Sequence, residues 1–229
     1  MKRIGKHQAG FTLVEIAIVL VIIGLLLGGI LKGQEMITQA KIKNIVNDLN
    51  GMSAAIYSYQ DRYRALPGDD VGAAARWTTT TPAFTAYGGN GDGNFGALTT
   101  SKYNLFPTAA PASGGPESQF FWWHLRLSGF VPGATTGQAA ISPPNNAVNG
   151  ILGVQTTGFG FTSNILCTSN LPDKVAIAVD TQMDDGASAS GQVRADLSTA
   201  PNSDVPAAAP TATAYQETGT NQYVACKNL

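Results

Sequence analysis

Gly10-Phe11-Thr12-Leu13-Val14-Glu15, followed without a break by the apolar run that ends at Leu31, decides how this chain is read. From Phe11 to Leu31 there are 21 residues, and Glu15 is the only ionisable one. About 20 apolar residues in a helix span ~30 Å of hydrocarbon, so the run is long enough to cross a bilayer. A carboxylate this far into such a run costs on the order of 2.5–3.5 kcal/mol on insertion scales and normally faces a partner.

A basic leader, Met1 to Gly10, precedes the run and carries Lys2, Arg3 and Lys6 without any acid. The order of a secretory signal is inverted. In a signal peptide the cut follows the apolar stretch; here the small residue, Gly10, stands before it. A cut at Gly10 leaves the apolar helix on the mature chain, with a new α-amine on Phe11.

The string from Gly10 to Glu15 resembles the processing site of type IV prepilins and of the pseudopilins of type II secretion. The resemblance implies that a membrane aspartyl peptidase, the prepilin peptidase, cuts after Gly10. It implies a methylated amino terminus on Phe11 and an assembly role for Glu15. It also implies that the leader lies in the cytoplasm. Charge alone does not orient the helix, because Lys2, Arg3 and Lys6 are matched by Lys32, Lys41 and Lys43 on the other side.

The full chain has 229 residues and a formal charge of −1, and loss of the leader's three positive charges leaves −4. No clustered Lys and Arg suggests a nucleic-acid footprint. The two cysteines, Cys167 and Cys226, lie far beyond the apolar run. In an oxidising compartment outside the inner membrane they are expected to pair, the other reading being two buried thiols. In pilins a disulfide near the C-terminus encloses a variable surface region, and this pair resembles that arrangement.

The helix is expected to continue to Tyr63. Ile42, Ile45, Val46, Leu49, Met52, Ile56, Tyr59 and Tyr63 recur at helical spacing, with Lys41, Lys43, Asn44, Asn47, Asp48 and Asn50 opposite. Gly24, Gly28, Gly29 and Gly33 allow either a region that bends during assembly or close helix packing. Leu66-Pro67-Gly68-Asp69-Asp70 ends the helix. The layout is therefore a leader (1–10), a membrane or filament-core helix (11–31), its amphipathic continuation (32–63) and a globular domain (64–229).

In that domain a short helix is expected over 71–77, then loop over 78–116. Asn90, Asp92 and Asn94 alternate with glycines, a spacing of oxygens that can wrap Ca²⁺. Phe95 stands where the EF-hand pattern needs glycine, and no bidentate Glu follows, so a solvated turn is the competing reading. Glu117 to Ser128 predicts a second helix, with Phe120, Phe121, Trp122 and Trp123 as core or as a ligand-stacking platform. Val175, Ile177 and Val179 alternate with alanines and predict a strand. It turns at Asp184-Asp185-Gly186, where the acids can hold a cation or simply be solvated, and pairs with 192–195. Further short strands are expected over 151–154, 158–162, 164–167 and 223–226, with an exposed loop over 198–214. The fold class is α+β, a long helix on an antiparallel sheet.

The leading function is a non-enzymatic structural subunit of a type IV pilus or pseudopilus, with no cofactor. Its partners are the prepilin peptidase, other subunits, the assembly machinery and, before assembly, the lipid bilayer. Competing readings are a membrane-anchored periplasmic binding module using Phe120 to Trp123, and an anchored hydrolase limited to His124 as its only histidine after cleavage. Glu15 discriminates, because a simple anchor has no use for an intramembrane carboxylate.

Overall fold

The structure, a computed structural model, describes residues 12–80, 83–96, 99–211 and 215–229. It forms two units, residues 1–40 and 41–229. One helix, α1 (Leu13–Tyr63), begins in the first and ends in the second. Every described residue of α1 up to Lys32 is exposed, and the helix passes without interruption through Gly24, Gly28, Gly29 and Gly33.

From Lys41 onward the stripe predicted by spacing is the buried face. Ile42, Ile45, Leu49, Met52, Ile56 and Tyr59 are buried, and Val46 and Tyr63 pack beside them. The helix stops where Arg64 turns left-handed (φ 56°), one residue past its end and just before Leu66-Pro67. Proline disfavours helix at the residue before it. A short helix, α2 (Ala73–Arg76), follows, then a small ribbon of β1 (Thr78–Thr80) and β2 (Ala83–Thr85) in a stretch expected to be loop throughout.

The second long element of the domain is α3 (Glu117–Leu127), as expected from Pro116 before it and Gly129 after it. Beyond it β3 (Leu152–Gly158), β4 (Phe161–Pro172), β5 (Val193–Leu197) and β6 (Gln222–Asn228) form an antiparallel sheet in the order β3-β4-β6-β5. Alternation along the strands sends Leu166, Tyr223 and Ala225 toward α1 and α3. Ile165, Cys167, Val224 and Cys226 go to the opposite face, where Tyr103 and Val205 cover them.

Residues 173–183 are not the expected strand. They form helix α4 (Asp173–Met183), with Asp173 in its first turn. The alternating pattern misleads because the intervening residues are alanines, apolar themselves and the best helix formers. Val175, Ala176, Val179 and Asp180 are buried together, at helical and not strand spacing. Residues 193–197 therefore pair with β6 instead, and Asp184 and Asp185 follow a helix and not a hairpin strand.

Cys167 and Cys226 sit directly opposite each other in the β4–β6 register and form a disulfide, with Cα atoms 4.0 Å apart. Both are fully buried, so reductant should reach the bond slowly in the folded chain. The bond closes a sequence separation of 59 residues; by chain entropy it contributes on the order of 4 kcal/mol, less any native strain. Melting of the oxidised chain and of a Cys167→Ser/Cys226→Ser variant should differ by about that amount, and thiol labelling without reductant should modify neither cysteine in denatured wild type.

Candidate functional site

The start of α1 is built by its own sequence. The Thr12 amide and hydroxyl both donate to Glu15 Oε2 at 2.8 Å. The Glu15 amide donates back to Thr12 Oγ1 at 3.3 Å. This is a reciprocal capping box, the Thr-x-x-Glu pattern that satisfies amides otherwise orphaned at a helix start. The pattern is legible in the sequence at Thr12-Leu13-Val14-Glu15, beside the intramembrane charge that Glu15 also carries. Gly10 and Phe11 lie outside the described residues. On the helix that follows, Leu13, Leu20, Leu25 and Leu31 are each more than 60% exposed.

At the far end of α1, Tyr59 is fully buried and its hydroxyl donates to Asp70 Oδ2 at 2.6 Å. Asp70 also accepts from Arg76 at 2.5 Å and from the Gly72 amide at 2.8 Å. Burial pushes the Asp70 carboxyl upward. The hydrogen bonds from Arg76, Tyr59 and Gly72 outweigh it and hold the group below the usual carboxylate range. The Arg76 guanidinium also lies over the Tyr63 ring, 4.4 Å from its centre.

His124 completes this region and is wholly buried. The Gly68 amide donates to its Nδ1 at 2.9 Å, which leaves Nε2–H to donate to the Tyr87 carbonyl at 2.8 Å. Both ring nitrogens are thus used by the backbone, and the neutral tautomer is fixed. Burial lowers its pKa to about 4. A histidine locked this way has no nitrogen to offer a hydrolytic nucleophile.

The aromatic run of α3 is equally committed. Phe120, Phe121, Trp122 and Trp123 are each at most 2% exposed, so they are core and present no stacking platform. Phe121 packs edge-on to Phe95 at 5.3 Å and Trp122 to Phe121 at 4.9 Å.

The glycine-rich loop is placed by acids from two other segments. Asp69 accepts from the amides of Gly91 at 2.5 Å and Gly93 at 2.6 Å. Glu117, the first residue of α3, accepts from the Asn90 amide at 2.9 Å. Asn90 and Asp92 spend side-chain oxygens on the amides of Asp92 and Asn94, two residues further on. Such turns are the usual use of Asn and Asp in loops. The structure keeps Asp92 hydrogen-bonded to Asn90 and Asn94 and also brings it to Asp69 and Glu117: one carboxylate oxygen from each of these three acids lies within 4.8 Å of the others. Gly68 makes the grouping sterically possible. Its φ is +95°, and a Cβ there would fall 2.6 Å from the Glu117 carbonyl.

Against known families, residues 5–31 match the model described as the prokaryotic N-terminal methylation motif, a segment typical of type IV pilins and pseudopilins. No curated protein and no solved structure matches the chain.

His124 yields a pH prediction. Folding favours its neutral form, so the unfolded chain gains a proton first as pH falls. Stability from this group is complete above about pH 6.5 and drains as pH drops toward about 4, on the order of 3 kcal/mol in all. Denaturant melts at pH 7, 5.5 and 4.5 should show a steeper loss in wild type than in His124→Gln, which starts less stable but falls more gently.

Proposed function

We propose that the chain is a structural subunit of a type IV pilus or pseudopilus. It is cut after Gly10 by a prepilin peptidase, methylated at Phe11, and assembled through α1 with other subunits and the inner-membrane machinery. The observation that carries this reading is the methylation motif at 5–31 running into a helix that the rest of the chain leaves uncovered as far as Lys32. Such a helix needs lipid, and later neighbouring subunits, to cover it.

In this reading residues 1–10 are a cytoplasmic leader and 11–31 span the inner membrane as a single pass. Residues 32–63 continue the helix, and 64–229 form the domain on the periplasmic or outer side. The disulfide suits that side, where thiols are oxidised. The binding-module alternative loses its support with the burial of Phe120 to Trp123.

Intact-mass measurement of the membrane-extracted protein should show loss of ten residues and gain of one methyl. Gly10→Val should block processing by filling the space beside the scissile bond. An unprocessed wild-type chain, in a host with an active prepilin peptidase, refutes the reading.

Glu15 has two separable tasks here, capping and assembly. After cleavage the Phe11 amine has a reference pKa of about 8 and is largely cationic near neutral pH. The amine of a neighbouring subunit then pairs with Glu15 and fixes the register of the filament. Glu15→Val removes both tasks, whereas Thr12→Val removes the side-chain part of the cap, worth about 1 kcal/mol, and keeps the carboxylate. With equal membrane pools, sheared filaments should contain far fewer Glu15→Val subunits than wild type, and near-normal numbers of Thr12→Val subunits. Glu15→Asp should fall between, since the charge stays and the reach shortens. Equal incorporation of Glu15→Val and wild type refutes the assembly role.

A further inference from the structure

Two triads of acids stand in the domain: Asp180, Asp184 and Asp185, and Asp69, Asp92 and Glu117. They differ in how their oxygens are used. Asp180 accepts from the Gly186 amide and the Tyr215 hydroxyl, Asp184 from the amides of Gln192 and Val193, and Asp185 from Ala187 and Ser190. Each of these acids accepts two hydrogen bonds, and among the described residues none of their oxygens is buried without a partner, so that triad is a loop brace.

The other triad differs at Glu117. Glu117 is only 8% exposed, yet among the described residues its Oε2 is buried without any hydrogen-bond partner. Asp69 is 4% exposed. No Lys, Arg or His forms an ion pair with any of the three acids among the described residues. Burying carboxylates without a cation is costly, and a lone unsatisfied acceptor adds to that cost.

We propose that Asp69, Asp92 and Glu117 form a binding site for one divalent cation, with Ca²⁺ as the occupant. The three donors are all carboxylate oxygens, the ligand type of hard divalent cations, and they lie within 4.8 Å of one another. They come from two loops and the start of a helix, and Ca²⁺ tolerates such irregular geometry whereas Mg²⁺ demands a near-ideal octahedron. Asp69 keeps acceptor capacity after taking the Gly91 and Gly93 amides, because each carboxylate oxygen has about two lone-pair sites. A cleft of ≈ 400 Å³ lined in part by Asn90, Gly96, Ser101 and Glu117 opens on the Glu117 side of the group. Occupancy ties three separate segments together: the turn after α1, the glycine-rich loop and the start of α3. The site takes its ligands from residues 69, 92 and 117, which is why the spacing 90-92-94 showed only one of them.

The test uses the full chain in detergent, freed of metal with EDTA and titrated with CaCl2 by calorimetry and by melting temperature. It needs neither processing nor assembly, so its result is independent of the filament reading. Wild type should bind about one Ca²⁺ per chain, melt at higher temperature when loaded, and bind Mg²⁺ at least about tenfold more weakly. Asp92→Asn, on an exposed side chain, and Glu117→Gln, nearly isosteric, should each weaken binding at least about tenfold while metal-free melting shows that they fold. No Ca²⁺ bound by wild type at about 10 mM overturns the proposal, as does equal affinity in wild type and the Asp92→Asn/Glu117→Gln double variant. Tighter binding of Mg²⁺ than of Ca²⁺ overturns the choice of ion.

Discussion

The hydrogen bond from the Tyr59 hydroxyl to the buried Asp70 carboxylate joins the end of α1 to the architecture that follows it. Tyr59 is the last fully buried position of the α1 stripe, and its ring lies near those of Tyr63, Trp77, His124 and Phe130. Asp70 spends its second interaction on Arg76 in α2 and its third on the Gly72 amide, so one carboxylate sets the path of the chain out of the helix. The neighbouring Asp69 is thereby aimed at the glycine-rich loop, and Gly68 is pressed against α3 and His124. Removing one partner of a buried charge pair is costly because the other is left uncompensated. This explains why Tyr59, Asp70 and Arg76 act as a unit.

The α1 helix meets two physical demands along one continuous element. Beyond Lys41 its apolar residues follow the helical period on one face, and the domain covers that face. Before Lys32 its apolar residues occur all round, and every described one is exposed. A helix hydrophobic on every side is suited to lipid or to the interior of an assembly, not to water. The proposed filament satisfies both demands with the same helix, since moving from membrane to filament exchanges one apolar environment for another.

What the sequence discloses follows the strength of each periodic signal. The α1 stripe and its end at Tyr63 are legible because the stripe repeats over six turns and the Leu66-Pro67-Gly68 breaker follows it. Helix α3 is legible from its flanking Pro116 and Gly129. Helix α4 is not, because alanine fills the positions that distinguish a strand from a helix. The cysteines are separated by 59 residues, and pairing them from sequence needed a compartment argument; their place opposite each other in β4 and β6 is a property of the sheet. Asp69 and Glu117 are invisible as neighbours of Asp92, because long-range turns and the start of α3 bring them together. The capping role of Glu15 was readable locally, yet the membrane context drew attention to its charge alone.

The filament proposed above asks Glu15 to pair with an amine, and the structure shows the same carboxylate capping α1. Thr12 directs its amide and hydroxyl to Oε2, so among the described residues Oε1 has no partner. A carboxylate has about four acceptor sites, of which the cap uses two. The cap neutralises part of the desolvation penalty by giving the anion two donors, but it leaves the net charge unchanged. In the proposed filament a neighbouring amine supplies the opposite charge without displacing Thr12. The cap also fixes the carboxylate at the head of the helix, close to the dipole's positive end, where an anion is favoured. A side chain already held in place loses less conformational entropy when the amine arrives than a free glutamate does. On this view Thr12 prepares Glu15 for its partner, and the two roles reinforce one another.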